Sequence, residues 1–109
     1  MNAISEIKDG ILEIRWHGRG GQGAVSSAQI LAQAAYRGGY KGVTSAPTFG
    51  AERRGAPVSA STRLSLAPLR IFSQIEQPDV VIVLDDTLLG YGMPIVGLSE
   101  GGWLIVNTH

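Results

Sequence analysis

With 109 residues, 44% of them apolar, the chain is long enough for one small domain with a packed core and too short for two. Nine Lys and Arg balance nine Asp and Glu, which argues against a general nucleic-acid or anionic-membrane surface. The absence of cysteine excludes disulfides, a cysteine nucleophile, thiolate zinc sites and cysteine-ligated iron–sulfur clusters in this chain, and His17 and His109 alone argue against a transition-metal site.

Residues 1–10, MNAISEIKDG, show no basic stretch followed by an apolar one, so no signal peptide is expected. The longest clean apolar run, Val80 to Leu84, is far too short to span a bilayer. A soluble cytoplasmic protein is the expectation. After the turn dipeptide Asp9-Gly10, Leu12, Ile14 and Trp16 alternate with Glu13 and Arg15, which predicts a first strand over residues 11–17. From Ala24 to Arg37, Val25, Ala28, Leu31, Ala32 and Ala35 recur at helical spacing, and Gly38-Gly39 supplies a stop. So many alanines would let this helix press closely onto a sheet.

A short second strand is expected in KGVTSAPTFG. Pro47, Gly50, Gly55 and Pro57 make residues 46–57 irregular, with Glu52, Arg53 and Arg54 inside. PVSASTRLS alternates again and reads as a half-exposed strand, antiparallel to a neighbour. Residues 66–78 connect it to Val80–Leu84, whose unbroken apolar character predicts a buried central parallel strand. A weak helix is expected around residues 86–91, and GGWLIVNT reads as another buried strand. These elements suggest an α/β layer fold around a mixed sheet. A strand so close to residue 109 leaves one sheet face short of helices. The expectation is that the domain continues or that a partner covers that face.

The segment with most chemistry is HGRGGQGAVSS. Gly18, Gly20 and Gly23 fit G-x-G-x-x-G between a strand and a helix. The first amides of such a helix lack intrahelical partners, and glycines let an anion approach the backbone. Arg19 could add a cation. A tight turn without ligand, NAD(P) and another phosphate ligand all remain open. Against NAD(P), the positions about twenty residues on are Val43, Thr44 and Ser45, with no acid for a ribose. No Gly-Lys-Ser/Thr follows, so a Walker A loop is excluded.

Smaller features have plain structural readings. His17 reads as a strand-end histidine that could also touch a ligand. Ser26 and Ser27 could cap the helix or meet a phosphate, but lie in no Gly-x-Ser-x-Gly elbow. Asp85 or Asp86 reads as the N-cap of the next helix. Trp16 and Trp103 read as core or interface aromatics, and Arg63 and Arg70 as solvated. Glu52 could orient Arg53 or Arg54.

Taken together and in order, GRGGQG after a strand, FGAERRGAPV and PDVVIVLD resemble the gamma subunit, or gamma domain, of 2-oxoacid:ferredoxin oxidoreductases, from about Glu13 to Asn107. The resemblance implies a three-layer α/β/α, Rossmann-like domain over residues 1–109, here short at its C-terminal end relative to the family. It implies an accessory subunit, not catalytic alone, in a complex that oxidatively decarboxylates a 2-oxoacid such as pyruvate or 2-oxoglutarate to an acyl-CoA and passes electrons to ferredoxin. Thiamine diphosphate and iron–sulfur clusters would lie in alpha, beta and delta-type partner subunits, and this chain would bind no cofactor alone. It would share a coenzyme A site. The CoA-contacting loop maps onto Gly18, Arg19, Gly20, Gly21, Gln22 and Gly23, and the basic segment onto Arg53 and Arg54, where some relatives carry lysine. No Gly-Asp-Gly with a distant Asn is present for thiamine diphosphate, and an Arg pair suits the phosphates of CoA. A free-standing nucleotide- or CoA-binding module without a redox partner is the alternative.

Overall fold

The computed structural model describes residues 10–47, 56–71, 73–91 and 93–108. Its elements run β1 (Ile11–Arg19), α1 (Ala24–Arg37), β2 (Gly42–Pro47), β3 (Pro57–Ser65), β4 (Val80–Val83) and β5 (Trp103–Val106), with 3-10 helices at Asp86–Tyr91 and Met93–Ile95. The five strands form one mixed sheet in the order β2-β3-β1-β4-β5. β3 pairs antiparallel with β1 and β2, whereas β4 is parallel to both β1 and β5. The expected α/β class, the helix and the mixed sheet are all present. The weak helix expected at 86–91 is the first 3-10 helix.

Alternation along β1 sorts its side chains to two faces with different fates. Ile14 and Trp16 point to the face that α1 covers, where they meet Ala24, Ala28, Ala35, Ala60 and Leu64. Ala28 and Ala60 have no exposed surface, so the helix backbone lies close above β3. That proximity lets the buried Thr62 hydroxyl donate to the Ala28 carbonyl (3.1 Å) while it accepts from Trp16 Nε1 (3.0 Å). The Trp16 ring nitrogen and the Thr62 hydroxyl are thereby both satisfied, as burial demands. Gly39, at φ 112°, takes the chain out of α1 in a conformation that favours glycine.

On the opposite face Val81 and Val83 are fully buried against Leu88, with Leu98 and Val106 alongside. β4 is therefore interior, as its composition suggested, but only on that side. Val80, Ile82 and Leu84 face the α1 side and are half-buried at the margin of that core, because α1 packs chiefly over β3 and β2.

β5 departs furthest from expectation. It was expected to be a buried strand, yet Trp103 is 70% exposed and Ile105 51%. It is the edge of the sheet, and among the described residues no helix lies over its α1 side. β3 departs the other way. Arg63 and Ser65 are buried although alternation marked that face as open, because the connection after β3 folds back over that end: Ser73, Gln74 and Gln77 lie around Arg63, and Ala67 N–H donates to the Ser65 hydroxyl. Among the described residues, no helix is long and apolar enough to cross a membrane.

This asymmetry has a measurable consequence. Val81→Asp places an unpaired charge in a dry site, at a cost comparable with the whole ~5–15 kcal/mol stability of a small domain. Ile105→Asp, on the open side of the neighbouring strand, costs far less. Expression trials should give insoluble Val81→Asp and soluble Ile105→Asp. Equal solubility of the two would contradict the burial described for β4.

Candidate functional site

β1 continues two residues beyond the expected end because its pairing with β3 persists through Gly18↔Val58 and Arg19↔Pro57. Gly20 N–H then donates to the Ala56 carbonyl at 2.8 Å, pinning the loop to the start of β3. Gly18 has little spare room: a Cβ there would lie 3.4 Å from Ala24 Cβ and from Leu84 Cδ1. The turn itself needs Gly21 and Gly23, with φ of 93° and 90°, a region that costs other residues about 1–2 kcal/mol.

Gly23 occupies the N-cap of α1 and offers no side-chain cap, and neither Ser26 nor Ser27 takes that place. The first bond of the helix runs from Ser27 N–H to the Gly23 carbonyl (2.8 Å). The amides of Ala24, Val25 and Ser26 precede it and have no acceptor within the helix. No acidic residue occupies the first turn, so the positive end of the helix dipole is not offset locally. These are the features of an anion-binding helix start.

The rest of the loop is braced by residues that follow β4. Gln22 folds back so that its Oε1 accepts from Arg19 N–H (2.7 Å) while its Nε2 donates to Asp85 Oδ2 (2.9 Å). Arg19 donates from Nη2 to Thr87 Oγ1 (2.9 Å), and its Nε lies 3.4 Å from Asp85 Oδ2. Asp85 also accepts from the Thr87 hydroxyl and amide, at 2.6 and 3.0 Å, which makes it the cap of the first 3-10 helix. The Thr87 and Gln22 hydrogen bonds, helped by the Arg19 charge, hold the Asp85 carboxyl down at about 2. Arg19, expected as a loose cation in the loop, is instead held against β4's end.

The parallel neighbour of β1 thus supplies an acid to the loop. A dinucleotide fold takes its ribose-binding acid from the end of the second strand. Here β2 lies at the sheet's edge, separated from β1 by β3, and its end does not adjoin the loop. Asp85 and Thr87 were not foreseen as loop partners. The signal was a pair of acids ending an apolar run, but only strand order reveals which loop they reach.

His17 points to the face away from α1. Its Nε2 accepts from Arg15 Nε–H at 2.9 Å, so the proton of the neutral ring sits on Nδ1. Burial, and then the Arg15 charge, push its pKa down to about 4. Arg63, read from sequence as solvated, is a buried partner of Glu13 at 2.8 Å. Trp16 is a core aromatic as expected, whereas Trp103 lies on the open side of β5. Glu52, Arg53 and Arg54 lie outside the described residues.

A mixed α/β sheet with a glycine turn from its central strand into a close-packed helix defines a Rossmann-like domain with an anion-competent loop. Residues 13–109 match the family described as pyruvate ferredoxin/flavodoxin oxidoreductase, and the chain belongs to that family. It is 58% identical over 99 residues to the pyruvate/ketoisovalerate oxidoreductases common subunit gamma of Thermococcus litoralis, covering 91% of this chain and 53% of that protein. The pyruvate oxidoreductase subunit PORC of Thermotoga maritima superposes with a TM-score of 0.76 at 48% identity, over 90% of this chain and 50% of that one. A 2-oxoglutarate:ferredoxin oxidoreductase from Magnetococcus marinus, solved with 2-oxoglutarate, coenzyme A and succinyl-CoA bound, aligns at TM-score 0.69 and 26% identity, over 91% of this chain and 16% of that one. The chain spans about half the length of the curated relatives it matches. The resemblance read from the three sequence motifs is borne out.

The pH dependence of stability follows from two depressed groups. A group with a lowered folded pKa stabilises the fold above its unfolded pKa and loses that contribution as pH falls through the folded one. For His17 the loss runs from about 6.5 down to about 4, and for Asp85 from about 3.8 down to about 2. Urea melts at pH 7 and pH 5 should therefore differ in midpoint. His17→Gln, which stays neutral, should shrink that difference. An unchanged difference in this variant would show that the histidine is not held neutral.

Proposed function

We propose that this chain is the gamma component of a 2-oxoacid:ferredoxin oxidoreductase and that its glycine loop faces the phosphates of coenzyme A. The observation that carries the reading is the uncapped start of α1 behind Gly21 and Gly23, with three amides lacking helical acceptors. Gly18, Arg19, Gly20, Gly21, Gln22 and Gly23 shape that loop. Arg53 and Arg54 complete the proposed site. The Magnetococcus marinus enzyme was solved with coenzyme A bound, which favours this ligand over NAD(P).

In this reading the chain is one gamma-type domain, working in the cytoplasm beside alpha, beta and delta-type subunits. Thiamine diphosphate and iron–sulfur clusters reside in those partners, where they supply the carbon and electron-transfer chemistry. The lack of cysteine here agrees with clusters held elsewhere. This chain's own contribution is to bind and orient CoA and to help assemble the complex.

Two measurements test the proposal. The isolated chain, given pyruvate or 2-oxoglutarate with CoA and a viologen dye, should reduce no dye; sustained reduction would remove the accessory role. In the reconstituted complex, Arg53→Ala with Arg54→Ala should raise the KM for CoA about tenfold or more, since hydrogen bonds to charged groups contribute roughly 1.5–3 kcal/mol each. The 2-oxoacid KM should hardly move. An unchanged CoA dependence would reduce the loop to a turn. Co-purification without other subunits would favour a free-standing module.

A further inference from the structure

On the face of the sheet away from α1, strand register gathers polar side chains into one patch. Arg15 stands opposite Ser61, His17 opposite Ser59 and Glu13 opposite Arg63, while β2 sets Ala46 beside Ser61 and Thr44 beside Arg63. The side chains at the centre are small. The space above them is a cavity of about 640 Å³, walled by Ile71, Gln74, Ile75 and Val96. That volume is within the range of small-molecule sites.

Among the described residues, the charges around this cavity do not cancel locally. Arg63 is neutralised by Glu13 at 2.8 Å. His17 is neutral at pH 7 and serves as an acceptor. Arg15 meets neutral acceptors: His17 Nε2 from its Nε, and the carbonyls of Pro94 and Val96 from its Nη2. Its Nη1 makes one long contact, 3.5 Å, to the Ile75 carbonyl. Carbonyl dipoles orient a guanidinium but do not remove its unit charge, and the partial burial of Arg15 disfavours that charge. A half-buried cation on a serine-floored cavity is complemented by an anion.

We propose that this cavity is a second ligand site, taking a small molecule through a carboxylate or phosphate group seated on Arg15 Nη1 and the Ser59 and Ser61 hydroxyls. It lies on the other face of the sheet from α1, and its existence does not depend on what the glycine loop binds. Neutral acceptors fix the guanidinium in advance, so little side-chain freedom is lost on binding.

The test uses isotope-labelled chain at pH 7 and constant ionic strength, titrated separately with inorganic phosphate and with acetate. The Arg15 Nε–H and His17 ring resonances report on the cavity, and the amides of Ala24 and Val25 report on the loop. Saturable shifts of the Arg15 and His17 signals with at least one of the two anions are expected, and the anion that saturates at lower concentration identifies the preferred group. Ser61→Leu fills the floor and should weaken that binding about tenfold or more, leaving the loop amides as responsive as before. Should Ser61→Leu alter the backbone spectrum at large, Ser59→Val makes the same comparison. Shifts that chloride reproduces, no saturation with either anion, or binding undiminished in the floor-filled variant would overturn the proposal.

Discussion

The parallel pairing of β4 with β1 is the constraint on which the rest of this structure depends. Four register pairs, from Ile14↔Val80 to His17↔Val83, align the two strands so that both end at the same rim of the sheet. Leu84 N–H donates to the His17 carbonyl at 2.8 Å and closes the ladder at that rim. Immediately beyond it one chain turns through the glycines and the other delivers Asp85 and Thr87. A parallel ladder fixes direction as well as distance, so two segments more than sixty residues apart in sequence become one polar cluster.

The same pairing divides the β1 face away from α1. Toward β4 lies the dry contact of Val81 and Val83, and toward β3 lies the polar row of serines and arginines. Arg15 sits at the boundary and ties together β1, Ile75 and the turn at Pro94–Val96. One guanidinium thereby organises three segments that share no regular hydrogen-bond ladder. A charge used in this way is ordinarily expensive to bury. Here it remains only half-buried, beside a cavity open to anions or water.

Family members of about twice the matched length share this sheet, as the superposition on Thermotoga maritima PORC indicates. Trp103 and Ile105 stand exposed on the α1 side beside the half-buried Val80 and Ile82, forming an apolar stripe on a sheet edge. Stripes of this kind usually mark contact surfaces, because single apolar residues scatter whereas aligned ones do not. The stripe lies to one side of α1, whose packing is drawn chiefly from β3 and β2.

The sequence by itself determined the local elements. Period-two alternation set β1 and β3, the Ala-rich 3.6 period set α1 to the residue, and the glycine spacing placed an anion-competent turn between strand and helix. These signals are local because backbone geometry and side-chain period are local. Three motifs in order were also enough to read the family. Tertiary structure alone decided the rest. Alternation shows that a strand has two faces but not whether either is covered, so Arg63 was read as solvated and β5 as buried, and both are the reverse. Apolar composition identified β4 as a sheet strand but not as the neighbour of β1, so the bond from Gln22 to Asp85 had no local signature. Strand order and layer coverage arise from pairing across long sequence separations, and no single segment carries that information.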